Sequence, residues 1–162
     1  MDGEKQREVS QALRKGDRAP DFTLTTTAGN FSLADLLQRG KVVLAFYTED
    51  QTPICTAEVA SFKDEYATLA ELGAQVVAVS SDPLASHESF VKKLGGLPFA
   101  LASDPSLAVA RAYGVADEGA KRARRAVFVI GQDGALLHAN TFYNPGNPGQ
   151  FMEVFQALGL ET

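Results

Sequence analysis

Ala126-Val127-Phe128-Val129-Ile130-Gly131-Gln132-Asp133-Gly134-Ala135-Leu136-Leu137-His138-Ala139-Asn140 decides the fold. The run 126–130 is apolar and β-branched and reads as a strand buried on both faces. Asp133-Gly134 is a hairpin signal, and 135–140 returns as the antiparallel partner. An antiparallel hairpin near the chain end matters because the chain before it alternates strands and helices.

Working back from the hairpin, Ser106 to Tyr113 reads as a helix ending at Gly114, with Ser103-Asp104-Pro105 as its start. Phe99 to Leu101 is a short strand and Pro83 to Leu94 a helix. Val76-Val77-Ala78-Val79 and Val42-Val43-Leu44-Ala45-Phe46-Tyr47 are further buried strands, joined by a long helix from Pro53 to Leu72 that Gly73 closes. Ala34 to Gln38 makes a short helix. Phe22-Thr23-Leu24 and Phe31-Ser32-Leu33 flank Ala28-Gly29-Asn30 as an N-terminal β-hairpin. Working forward, Gly149 to Leu158 is a closing amphipathic helix with Phe151, Val154, Phe155 and Leu158 on one face. The order implies an α/β architecture with a mixed central sheet flanked by helices, of thioredoxin-like rather than Rossmann topology. Gly-x-Gly-x-x-Gly and Gly-Lys-Ser/Thr phosphate loops are missing from the sequence, so nucleotide chemistry has no support.

The length of 162 residues fits one domain over 1–162, with residues 1–15 a loose polar arm or short helix. A net charge of −5 repels phosphate backbones and anionic lipid, so neither nucleic acid nor membrane is expected as a partner. The polar N-terminus lacks the apolar core of a secretory signal, and one cysteine cannot form an intrachain disulfide. A reducing, cytoplasmic setting is the simplest expectation.

The chemistry concentrates in Thr48-Glu49-Asp50-Gln51-Thr52-Pro53-Ile54-Cys55-Thr56-Ala57-Glu58, where a buried strand hands over to the long helix. Thr52 suits the N-cap and Pro53 the first helical position, which puts Cys55 in the first turn. Helix-start N–H groups there favour a thiolate over a thiol and can donate to a polarised oxygen. The spacing Cys55, Val59, Phe62, Tyr66, Leu69 suits an inert core cysteine equally well; the position after Thr-Pro favours reactivity. In Lys121-Arg122-Ala123-Arg124-Arg125 the first, second and fourth residues read as a solvated charge cluster, and Arg125 is singled out as a cation that could reach Cys55. Glu49 and Asp50 read as solvated. Glu58 reads as locally bonded or solvated, and His87 and His138 as surface or hydrogen-bonded residues without metal-ligand spacing.

These residues resemble the peroxiredoxins. Lys15 to Leu24 is similar to the family's opening strand, Thr52-Pro53-Ile54-Cys55 to its Thr-x-x-Cys motif, and Ser103 to Val115 and Arg125 to Gly134 to its later landmarks. The pattern is most like the peroxiredoxin Q, or bacterioferritin-comigratory, group, with the alkyl hydroperoxide reductase E type next. The resemblance implies Cys55 as peroxidatic nucleophile, Thr52 presenting its hydroxyl to the peroxide, and Arg125 as the active-site arginine. It implies a thiol-dependent peroxidase that needs no metal, flavin or haem and passes through a Cys55 sulfenic acid. Two positions depart from the pattern. Thr48 stands where a shielding proline is usual, and Ala60 where many members carry a resolving cysteine. The sulfenic acid would then need an external thiol: a low-molecular-weight thiol, thioredoxin or a glutaredoxin-like protein. The family includes monomers and homodimers. Thr48 also leaves open a different class, a peroxide sensor or interaction protein with little turnover.

Overall fold

A computed structural model describes residues 13–160. The arm expected over 1–15 lies almost wholly outside them.

Seven strands form one mixed sheet in the order β2-β1-β5-β4-β3-β8-β9. Its parallel centre is β3 (Lys41–Phe46), β4 (Ala74–Ser80) and β5 (Ala100–Ser103). The hairpin that decided the topology, β8 (Ala126–Ile130) and β9 (Leu136–Asn140), adds antiparallel to β3. Gly134 turns it at φ 87°, in the left-handed region that glycine adopts without strain. On the other edge β1 (Thr23–Thr26) and β2 (Gly29–Ser32) form the N-terminal hairpin, which turns at Thr27-Ala28 and so takes Gly29 and Asn30 into a strand.

The strand β3 is buried on both faces, and its alternation builds two cores. Val42, Leu44 and Phe46 face α1 (Leu33–Arg39) and α5 (Ala108–Ala112), in a cluster with Phe128 and Tyr113. Val43, Ala45 and Tyr47 share the opposite cluster with Cys55, Val59, Phe62, Phe90, Val154 and Phe155. That second layer is built from α2 (Pro53–Asp64), α3 (Tyr66–Glu71), α4 (Leu84–Lys93) and α6 (Pro148–Ala157).

The long helix expected over 53–72 is two helices. It breaks at Glu65 (φ −105°, ψ 15°). Ser61 Oγ donates to the Ala57 carbonyl at 2.8 Å, a back-bond of the kind that bends helices. The break still lets Leu69 bury completely. Helix α5 is shorter than expected because Leu107 takes a left-handed conformation, but Asp104 does start it, accepting from the Val109 and Ala110 amides at 3.2 and 2.9 Å. A short ladder, β6 (Ala116–Asp117) with β7 (Arg122–Ala123), has no counterpart in the sequence reading.

Candidate active site

Thr48 lies two residues beyond the end of β3, and Arg124 and Arg125 precede β8. Because the two strands pair antiparallel with Phe46 opposite Ala126, the exit of one and the entrance of the other meet at one sheet edge. A pocket opens there, lined by Thr48, Arg124, Arg125, Phe142, Tyr143 and Asn144. Beneath it Cys55 sits in the first turn of α2, fully buried, with Sγ 3.0 Å from Thr48 Oγ1.

Both readings of Cys55 hold in part. It packs in the stripe with Val59, Phe62 and Leu69, yet its sulfur meets polar groups. Burial pushes the thiol up. The Thr48 hydroxyl, with Thr52 and the backbone of Glu49 and Thr48 contributing beside it, outweighs it and holds the thiol below its ordinary range. The backbone contribution therefore comes from the loop before the helix, not from the first helical turn as the sequence suggested. Thr52 occupies the N-cap, but its hydroxyl makes no capping bond and donates instead to the Glu49 carbonyl at 3.2 Å.

Arg125 is half-buried and shares the pocket with Thr48. Among the described residues its Nε is buried without a partner, and no carboxylate pairs with it. The arginines read as solvated prove closer to the site. Arg122 pairs with Glu49 at 2.7 Å and feels the Cys55 charge. Arg124 lies 4.6 Å from the centre of the Phe142 ring and donates to the Gly114 carbonyl at 3.1 Å.

The Glu49 side chain is partly solvent-exposed as expected, in a surface ion pair, whereas Asp50 and Glu58 depart from the sequence reading and are buried. Asp50 accepts from the Tyr47 hydroxyl, from Ser86 Oγ at 2.7 Å and from His87 Nδ1 at 2.8 Å, while its own amide donates to Asp82 at 2.8 Å. His87 is fully buried, and its Nε2 lies 2.9 Å from the Ala102 carbonyl. Both its nitrogens thus lie within hydrogen-bond distance of oxygen atoms. Asp50, Asp82 and His87 place ligand atoms within 4.8 Å of one another, a grouping able to hold a cation. Those atoms are already engaged in hydrogen bonds, Asp82 Oδ2 accepting also from Ser80 at 2.6 Å, so the cluster is explained as an internal network.

Glu58 lies one turn beyond Cys55 at 1% exposure, and among the described residues neither carboxyl oxygen has a partner. Burial, and after it the Cys55 charge, raises the carboxyl well above its ordinary range; Arg125 opposes this without reversing it. The sequence did hold a signal, since Glu58 interrupts the buried stripe at helical spacing between Cys55 and Phe62.

The AhpC/TSA family model matches residues 15–139. The chain belongs to the AhpC/TSA family, the peroxiredoxins. Among its relatives, the chloroplastic peroxiredoxin Q of Oryza sativa subsp. japonica is 33% identical over 153 residues, 93% of this chain and 70% of that one. The peroxiredoxin bcp of Coxiella burnetii is 37% identical over 131 residues, 77% of this chain and 86% of that one. The crystal structure of peroxidoxin BcpB from Mycobacterium tuberculosis superposes with a TM-score of 0.81 at 30% identity, covering 90% of this chain and 96% of that one. The thioredoxin-like topology expected from the terminal hairpin, and the peroxiredoxin fold that the resemblance implied, are thus the fold observed. As a peroxiredoxin the chain belongs to an enzyme class of thiol-dependent peroxidases.

Proposed function

We propose that this peroxiredoxin reduces hydrogen peroxide and organic hydroperoxides by a one-Cys mechanism in which Cys55, Thr52 and Arg125 carry the chemistry. The supporting observation is a buried sulfur held below its ordinary thiol range while an arginine that has no carboxylate partner among the described residues lines the pocket next to it. The Cys55 thiolate attacks one peroxide oxygen. An S–O bond forms, the O–O bond breaks, and the departing alkoxide or hydroxide takes a proton to leave as alcohol or water. Sulfur is oxidised to a sulfenic acid as the peroxide is reduced. Arg125 and the Thr52 hydroxyl stabilise the charge that develops on oxygen.

Cys55 is the sole cysteine of the sequence, so a thiol from outside the chain attacks the sulfenic sulfur and releases water. A second thiol then cleaves the mixed disulfide and restores Cys55. A low-molecular-weight thiol, thioredoxin or a glutaredoxin-like protein fits that role. The residues named come from one chain and serve a monomer or a homodimer alike, over one domain spanning 1–162. A working thiol that must return to the reduced state fits a reducing compartment such as the cytoplasm.

Stopped-flow oxidation of the protein by hydrogen peroxide and by an organic hydroperoxide tests the reading. The rate constant should far exceed that of free cysteine. Arg125→Ala should lower it by on the order of 10²-fold, as loss of a preorganised oxyanion donor does, and Thr52→Val should lower it too. A wild-type rate no faster than free cysteine refutes the proposal. Rapid oxidation with no turnover on any thiol donor would replace it with a peroxide sensor.

A further inference from the structure

We propose that Thr48, the residue standing in place of the proline of the family pattern, is a catalytic residue whose hydroxyl donates a hydrogen bond to the Cys55 thiolate and tunes its reactivity. The inference rests on the peroxidase reading above and adds a donor to it.

The geometry is direct. Thr48 Oγ1 lies 3.0 Å from Cys55 Sγ, well inside hydrogen-bond reach for sulfur. Among the described residues the hydroxyl has no hydrogen-bond partner but the sulfur, so nothing competes for its single proton. An ionised sulfur can only accept, and a donor at this distance favours the ionised form. The backbone of Thr48 bears on the sulfur as well. A proline at this place has neither an N–H nor a hydroxyl, so the substitution turns an apolar shield into a polar contact.

The hydroxyl is also held in place. Threonine is stiff about its first side-chain torsion. The preceding Tyr47 amide donates to the Val79 carbonyl at 2.9 Å, which carries the β3–β4 pairing to the edge of the site. Two residues on, Asp50 is tied to His87 and Asp82. Thr48 is thus fixed on both sides while still lining the pocket that Arg125 shares.

A donor to the thiolate has two opposed effects. More of the sulfur is ionised at a given pH, but each thiolate is a weaker nucleophile, with a Brønsted slope of about 0.4–0.5 for thiolate attack. The two pH profiles, with and without the donor, should therefore cross.

The test uses the full-length protein and its Thr48→Val and Thr48→Ser variants. The Cys55 ionisation midpoint is read from the pH dependence of iodoacetamide alkylation, and the oxidation rate by hydrogen peroxide from stopped flow across the same range. In Thr48→Val the midpoint should rise by about one pH unit, as expected for losing a hydrogen bond to a charged group. Its oxidation should be about threefold slower below the wild-type midpoint and about threefold faster on the alkaline plateau. Thr48→Ser should track the wild type. Should Thr48→Val fail to fold, Thr48→Ala replaces it. An unchanged midpoint in the apolar variant overturns the proposal. So does a Thr48→Ser protein displaced as far as Thr48→Val, because shape rather than the hydroxyl would then be at work. If the wild type oxidises no faster than free cysteine, the peroxidase reading fails by itself, and the alkylation midpoint still decides whether Thr48 donates.

Discussion

Glu58 is the residue where burial and charge conflict most sharply. Its carboxyl is buried and unpartnered among the described residues, close enough to Cys55, Tyr143 and Arg125 for their charges to bear on one another. A carboxyl raised above its unfolded value stabilises the fold fully only below the unfolded pKa, and the contribution is lost as pH rises towards the folded one. Over that window this one group costs about 1.4 kcal/mol per pH unit. Glu58→Gln keeps the shape and removes the proton. Urea unfolding should therefore show the variant gaining on the wild type as pH rises from about 5 to 8, above the ordinary glutamate pKa of about 4.3. Parallel pH profiles for the two proteins would mean that Glu58 is ionised in the fold. The same residue marks the reach of sequence reading at this scale. Cys55, Thr52 and Arg125 were picked out by motif. Glu58 was passed over because a charged residue on a helix is expected in water, although its spacing already placed it on the buried face.

The loop between β3 and α2 is the element that surrounds the sulfur of a core cysteine with polar groups. It presents Thr48 and the backbone of Glu49 to Cys55, and it bends through Gln51 at φ 66°, a left-handed conformation that costs a non-glycine residue roughly 1–2 kcal/mol. Something must hold it, and the anchor is the Asp50–His87 pair reaching across to α4. Burial pushes the Asp50 carboxyl up, but bonds from His87, Tyr47 and Ser86 outweigh it and hold it below its ordinary range. A lowered carboxyl stabilises above its unfolded pKa of about 3.9 and loses that contribution as pH falls through the folded value. Asp50→Ala takes away the acceptor shared by the buried Tyr47 hydroxyl, Ser86 and His87 and should cost at least about 1–3 kcal/mol in urea unfolding at neutral pH. It should also slow Cys55 oxidation, because Thr48 and Glu49 lose their anchor. The acid-side drop in stability should be shallower in the variant than in the wild type. A stable variant with unimpaired peroxide reactivity would show that the loop holds itself. None of this network was legible in the sequence. Asp50 stands in a polar loop, and its partners Ser86 and His87 lie 36 and 37 positions away, beyond any spacing rule.

At the scale of the whole molecule the strands were the most legible part, because a strand buried on both faces writes itself as an apolar run. The bounds of β8 match the residues read from sequence. Registers were not legible, and the register of β8 on β3 is what carries Arg125 to Thr48. The sheet therefore does two jobs on two faces, and they separate experimentally. Phe128 points away from the cysteine layer. It packs against Phe46 and Tyr113 with ring centroids at 5.9 and 5.1 Å and is fully buried. Phe128→Ala should cost about 3–5 kcal/mol of stability from lost burial and the cavity left behind. Its backbone pairing needs no side chain, so the register and the meeting of Arg125 with Thr48 survive. Well below the unfolding transition, the rate constant for Cys55 oxidation in Phe128→Ala should stay within about twofold of wild type, since only about 0.4 kcal/mol of barrier separates such rates. The variant's urea midpoint should meanwhile fall sharply. A rate that dropped in step with stability would mean that packing on the far face reaches through the sheet to the sulfur, and that the two cores work as one.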